Sequence, residues 1–224
     1  MKTNDWRRHR GAAALTLTVL LAACGGGGGD GNDNGSAASA LSSSAAEPVF
    51  VLGLPPLSIP DGQETVRCAN GSIGARSLDT VNVPDGASCQ LNGTRLRGSI
   101  IVGSGATLEA VGVQVTGNLQ AEGARSVKVG AASVFGGSIQ IKQGDAAQIV
   151  GASIGGDLQF DTQRGALRGQ DNRIVGNLQA VGNRGGVELS DNRMNGNLQC
   201  KENAPAPSGG GNTAALKEDQ CAAL

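Results

Sequence analysis

The chain repeats itself every nineteen or twenty residues, and no other feature restricts its fold as much. Gly98-Ser99-Ile100, Gly117-Asn118-Leu119-Gln120, Gly137-Ser138-Ile139-Gln140, Gly156-Asp157-Leu158-Gln159, Gly176-Asn177-Leu178-Gln179 and Gly196-Asn197-Leu198-Gln199 start at spacings of 19, 20, 19, 20 and 20. Units this short cannot bury a core alone, so they must stack. Two apolar positions travel with each central Ile or Leu. Leu96, Val115, Phe135, Ile154, Ile174 and Met194 precede it by four residues, and Val102, Ala121, Ile141, Phe160, Ala180 and Cys200 follow it by two. Side chains alternate around the motif, so Leu178 and Ala180 face one way while Asn177 and Gln179 face the other, which is the period of a strand. A glycine two residues before every strand centre disfavours helix.

These features predict an all-β chain, a single-stranded parallel β-helix of about 20 residues per coil with two or three short strands in each. Residues 64–200 would hold some seven coils. Composition fits a narrow interior: glycine is 37 of 224 residues and the only aromatics are Trp6, Phe50, Phe135 and Phe160. The motif glycine is expected either to adopt positive φ or to lie where a Cβ has no room. A weaker apolar line, Leu91, Ala110, Ile149 and Leu189, marks another face and is interrupted at Gly130 and Gly169.

Four cysteines follow Cys24, and Cys68 to Cys89 and Cys200 to Cys221 are each 21 residues apart, close to one coil. Adjacent coils lie ~4.8 Å apart, within the Cα separation a disulfide needs. Of three possible pairings, Cys68-Cys89 with Cys200-Cys221 is the one that does not require opposite ends of the stack to meet. Zinc is the competing explanation, but the pairs are far apart in sequence and the only histidine, His9, lies in the leader. Residues 201–224 then form a C-terminal cap fastened by Cys221.

The first residues carry a different signal. Lys2, Arg7, Arg8 and Arg10 precede an uncharged, mostly apolar run from Gly11 to Ala23, and Leu21-Ala22-Ala23-Cys24 ends it. A helix of this length spans ~20 Å, short of the ~30 Å hydrocarbon core, so a signal peptide over residues 1–23 is expected. An ordinary secretion signal would explain the run but leaves the cysteine without a role. The leader resembles that of bacterial lipoprotein precursors. That resemblance implies lipidation of Cys24, cleavage before it, and a cell-envelope location, with Gly25 pointing to the outer membrane. Removing residues 1–23 leaves 14 basic and 18 acidic side chains, a net charge of -4. Acyl chains, rather than surface charge, would therefore hold the protein at a membrane, two or three being enough.

Residues 24–47, which include five consecutive glycines, read as a flexible Gly/Ser/Asn tether. Residues 48–63 carry Pro48, Pro55, Pro56 and Pro60 among apolar residues, the pattern of a proline-rich strap or N-terminal cap.

Polar rows accompany the apolar ones. Gln120, Gln140, Gln159, Gln179 and Gln199 share one outward position, where amides can bond coil to coil. Asn172, Asn192 and Asn212 are twenty apart, and Asp171-Asn172-Arg173 recurs as Asp191-Asn192-Arg193. Stacking is the first reading of these rows; Gln159, Gln179, Asn172 and Arg173 are the candidates for a binding surface.

Catalytic chemistry is sparse. After the leader there is no His and no Tyr, which removes His-dependent triads; Asp157 and Asp161 could share one outward side, but Asp157 is better explained as a substituent at the Asn/Ser position of the repeat. Gly25 to Gly29 and Gly209 to Gly211 lack the Lys-Ser/Thr of a phosphate loop. No enzyme activity, cofactor, metal or nucleic-acid partner is expected, and the sequence says nothing about oligomeric state.

The short coils are similar to those of bactofilins, bacterial β-helix scaffolds, which normally lack a lipobox and interior disulfides. The stretch from Gly196 to Cys221 more closely resembles the carboxyl-terminal part of uncharacterised secreted bacterial repeat proteins. The function expected is that of a non-catalytic, lipid-anchored structural protein of the cell envelope. The alternative is a surface adhesion or glycan- or protein-binding lipoprotein, with a polysaccharide-acting enzyme behind both.

Overall fold

A computed structural model describes residues 65–224. The expected leader, Cys24, the tether and the strap over residues 48–63 lie outside the described residues. What is described is all-β, without a helix, and every strand pair is parallel. Each full coil gives one strand to each of three sheets, as in Leu158–Asp161, Leu167–Gln170 and Arg173–Ile174. The sheets contain nine, eight and seven strands, and hydrogen-bonded neighbours are always one coil apart in sequence. Nine strands in the first sheet delimit eight coils. The eighth is built from Ser208–Gly210 and Lys217–Asp219, inside the segment expected to form the C-terminal cap.

Register follows the repeat. Ile100, Leu119, Ile139, Leu158, Leu178 and Leu198 pair in succession on the first sheet, and all are fully buried. The row beginning at Leu96 lines the third sheet. The second sheet supplies the weaker line, with one correction. Val129, not Gly130, pairs with Ala110 and Ile149. The corner between Val129 and Val134 holds one residue more than the corner between Ala110 and Gln114, inserted ahead of Ala132, which at φ 62° takes the left-handed place that Gly112 and Gly151 hold in the coils on either side. Gly169 does interrupt the line. The ring of Phe160 stands 3.7 Å from where a Gly169 Cβ would be, so a large side chain on one sheet fills the gap left by the other.

The motif glycines do not have positive φ; they are crowded. A Cβ on Gly176 would lie 2.2 Å from Asp157 Oδ1 and 2.8 Å from the Gly156 carbonyl oxygen, and one on Gly137 would lie 2.2 Å from Asn118 Oδ1. Those oxygens are there for a reason. The backbone N–H groups of Asn118, Ser138, Asp157, Asn177 and Asn197 donate to the side-chain oxygens of Ser99, Asn118, Ser138, Asp157 and Asn177, at 2.7 to 3.0 Å. The motif residues therefore divide the work among them. Gly leaves room for the oxygen of the coil before, Asn or its substitute offers an oxygen to the coil after, Leu points inward and Gln outward.

Both disulfides are formed, Cys68 with Cys89 and Cys200 with Cys221, at Cα separations of 5.7 and 5.2 Å. The bonded cysteines do not stack directly, because Cys89 pairs in register with Gly71 and Cys200 with Asp219. Each bond instead ties a strand of one coil to a turn of its neighbour. At the C-terminal end, Lys217 and Asp219 occupy the register positions of Leu198 and Cys200, so charged residues end two of the buried rows.

Candidate functional site

The four residues expected on a binding surface fall on two different sheets. Gln159 and Gln179 are half-buried on the outer side of the first sheet, where Gln159 Nε2 donates to Gln179 Oε1 at 3.1 Å. Gln199 Nε2 donates instead to the Glu218 carboxylate at 3.0 Å, so the expected amide ladder is realised in the single link from Gln159 to Gln179.

Asn172 is not on the surface: it is 1 % exposed. It lies two residues before the inward-facing Ile174, and strand alternation turns both side chains inward. Its Nδ2 donates to the Ile149 carbonyl at 2.8 Å and to Asn192 Oδ1 at 2.9 Å, while its Oδ1 accepts from the Ala152 N–H at 3.0 Å. Asn192 and Asn212 repeat the pattern one and two coils on. A second buried ladder runs through Gln163, Asn183 and Asn203 to Gln220. In both, an inward corner leaves one carbonyl and one N–H of the backbone without a sheet partner, and the carboxamide supplies both bonds.

Above the Asn172 ladder the surface is concave. Asp171, Arg173, Asp191, Arg193, Gly211 and Thr213 line a cleft of about 340 Å3. Arg173 and Arg193 are in register on adjacent strands of the third sheet, with Thr213 bridged to Arg193 one coil further on. Asp171 and Asp191 occupy the corner before those strands, at φ 55° and 56°. Gly93, Gly112, Gly151 and Gly211 fill the equivalent left-handed corner of four other coils, at φ 62 to 71°, and Ala132 fills it in a fifth at φ 62°. Among the described residues no ion pair within 4.0 Å and no side-chain hydrogen bond engages these two aspartates or two arginines. Of the expected surface residues, then, Arg173 and Asn172 belong to the cleft and Gln159 and Gln179 do not. Asn172 is its floor and acts through packing, and Asp171, Asp191 and Arg193 complete it. The recurrence of Asp-Asn-Arg is the sequence signal for all three.

A larger groove of about 870 Å3 opens at the other end of the same sheet, with Ser77, Arg95, Gln114, Thr116 and Val134 among its lining. Here Arg95 is engaged, its Nε donating to Gln114 Oε1 at 3.2 Å.

Asp157, Asp161 and Asp145 are engaged within the fold. Asp157 Oδ1 accepts from the N–H of Asn177 at 2.7 Å and from its Nδ2 at 3.1 Å, and Asp161 accepts from the Thr162 hydroxyl. Asp145 pairs with Arg164 at 3.3 Å on the exposed surface. Among the described residues no three His, Cys, Asp or Glu side chains converge as metal ligands, and no helix is long and apolar enough to cross a membrane.

No family model matches the chain. Neither a curated protein nor a solved structure matches it.

Proposed function

We propose that the protein is a non-catalytic structural component of the bacterial cell envelope, anchored by acyl chains on Cys24. The observation that carries this reading is where the polar side chains are used. Three ladders bond coil to coil, two of them buried, and disulfides staple the first and last coils. Asp157, the carboxylate most regularly placed for chemistry, is a rung of one ladder. The charged pair Lys217 and Asp219 on the last coil opposes continuation of the apolar rows into a second copy. Its partners on this reading are the membrane, reached through the acyl chains, and an envelope protein or glycan lying alongside.

Anchoring rests on Leu21-Ala22-Ala23-Cys24 at the end of the apolar leader. Intact mass of the membrane-extracted protein should show loss of residues 1–23 and addition of two or three acyl chains; a soluble, unmodified mature chain would overturn it. Proximity labelling in the native envelope should mark a fixed set of neighbours. Turnover of a polysaccharide that depends on Asp157 or Asp161 would refute the non-catalytic role. The second reading, an adhesion or binding lipoprotein, is favoured by the unpartnered charges of the Asp-Asn-Arg cleft.

A further inference from the structure

We infer that the cleft formed by Asp171, Arg173, Asp191 and Arg193 is a subsite for a neutral, hydroxyl-rich sugar unit of an extended glycan. It develops the binding reading and does not depend on lipid anchoring.

Three observations converge on it. The first is the choice of residue at the corner. A left-handed backbone is the natural place for glycine, which four other coils use there, and Asp is one of the few residues with a Cβ that enters it. Asp171 and Asp191 hold that corner in two successive coils without a side-chain hydrogen bond or ion pair in return among the described residues. The second is the pair of arginines. Like charges placed directly opposite on neighbouring strands repel, and Arg173 and Arg193 are in register with no acid within ion-pair distance. The third is the hollow between them, about 340 Å3, inside the usual range for small-molecule sites. Its floor is held by the Asn172 ladder, so these side chains project from a rigid support.

Charge selects the class of ligand. Two carboxylates and two guanidiniums sum to zero, so the cleft as a whole favours neither a polyanion nor a metal cation. A sugar hydroxyl both donates and accepts, whereas a carboxylate only accepts and a guanidinium only donates. One Asp with one Arg therefore satisfies both sides of a hydroxyl, through the stronger charge-assisted kind of bond. The cleft holds two such sets, one coil apart, roughly 4.8 Å. Equatorial hydroxyls on alternate carbons of a pyranose ring are separated by a similar distance, so a single ring can meet both sets. With no aromatic side chain in its lining, the cleft recognises hydroxyl pattern and not the apolar face of a ring.

The test uses the full chain against arrayed neutral hexose and N-acetylhexosamine oligosaccharides, uronate-bearing oligosaccharides, and acidic and basic peptides. Hits are then titrated by calorimetry. We expect saturable binding of neutral oligosaccharides. Asp171→Gly/Asp191→Gly and Arg173→Gln/Arg193→Gln should each weaken it at least tenfold, and Gln159→Ala on the first sheet should leave it unchanged. The Asp→Gly pair installs the residue that four other coils use at that corner, so its melting temperature should hold or rise while binding is lost. The inference is overturned by any of four results: no saccharide binding, binding confined to uronates or to peptides, binding indifferent to both double variants, or an Asp→Gly pair that loses binding only because it melts well below the parent.

Discussion

Replacing Asn192 by alanine tests whether the buried carboxamide ladder holds the coils together. Asn192 is 0 % exposed. Its Nδ2 donates to the Gly169 carbonyl at 2.8 Å and to Asn212 Oδ1 at 2.9 Å, and its Oδ1 accepts from the Asn172 N–H at 3.2 Å and from Asn172 Nδ2 at 2.9 Å. Asn192→Ala deletes all four bonds. Asn212 Oδ1 keeps the Asn192 backbone N–H at 3.1 Å. The Gly169 carbonyl, the Asn172 N–H and one Asn172 Nδ2 proton are left buried and unpaired. At about 1 to 3 kcal/mol for each orphaned group, with water entering the vacated space to relieve part of the loss, the cost is about 4 kcal/mol. For a chain of this size that corresponds to a fall in melting temperature of about 8 to 16 °C. Gln179→Ala is the control: it has the same twenty-residue spacing, but on the half-buried outer face with one side-chain bond, and should cost less than about 1 kcal/mol. Calorimetric melts of both variants with disulfides intact give the comparison. Equal losses, or a loss below about 1 kcal/mol for Asn192→Ala, would refute the assignment of the buried row as the main polar tie between coils.

Gly176→Ala should destabilise by about 1 to 3 kcal/mol, because its Cβ would meet Asp157 Oδ1 and the Gly156 carbonyl, whereas Gly182→Ala, with its nearest neighbour 3.7 Å away but φ at 65°, should lose only about 1 kcal/mol of backbone strain; chemical denaturation of the two distinguishes crowding from dihedral preference. Ser133→Ala should raise stability by about 1 kcal/mol, since the Ser133 hydroxyl is buried without a hydrogen-bond partner, and an unchanged or lower melting temperature would contradict that. Removing the terminal staple with Cys200→Ala/Cys221→Ala should cost about 3 kcal/mol and speed hydrogen exchange at residues 208–219 while leaving residues 119–161 protected.

The repeat makes most of the fold legible, because a stack in which each coil copies the one below turns sequence spacing directly into register. The Leu158 row, the Phe160 row and both disulfides follow from that spacing alone. What spacing does not do is separate inside from outside. Asn172 and Gln179 each recur at twenty residues, yet one is buried and the other faces outward, and only the parity of Asn172 with Ile174 distinguishes them. Gly130 is misplaced by spacing for a related reason: one extra residue in the corner ahead of Ala132 shifts a count but not the stack. The cleft is half visible, as a repeated Asp-Asn-Arg triplet. That its aspartates stand where four other coils have left-handed glycine is a property of backbone dihedrals, which the spacing does not carry.

The central claim is that coils are equivalent units held by register, and deleting one tests it most directly. Removing residues 158–177 joins Asp157 to Leu178 and so rebuilds Gly-Asp-Leu-Gln at the junction. The same cut removes Phe160 together with Gly169, whose volumes compensate, and brings Asn183 and Asn192 to the places held by Gln163 and Asn172. Non-reducing peptide mapping combined with far-ultraviolet circular dichroism should find both disulfides, Cys68-Cys89 and Cys200-Cys221, and an undiminished β spectrum per residue. Deleting only residues 158–167 should destroy both. A whole-coil deletion that unfolds or scrambles its disulfides as badly as the half-coil deletion would contradict the stacked-coil account.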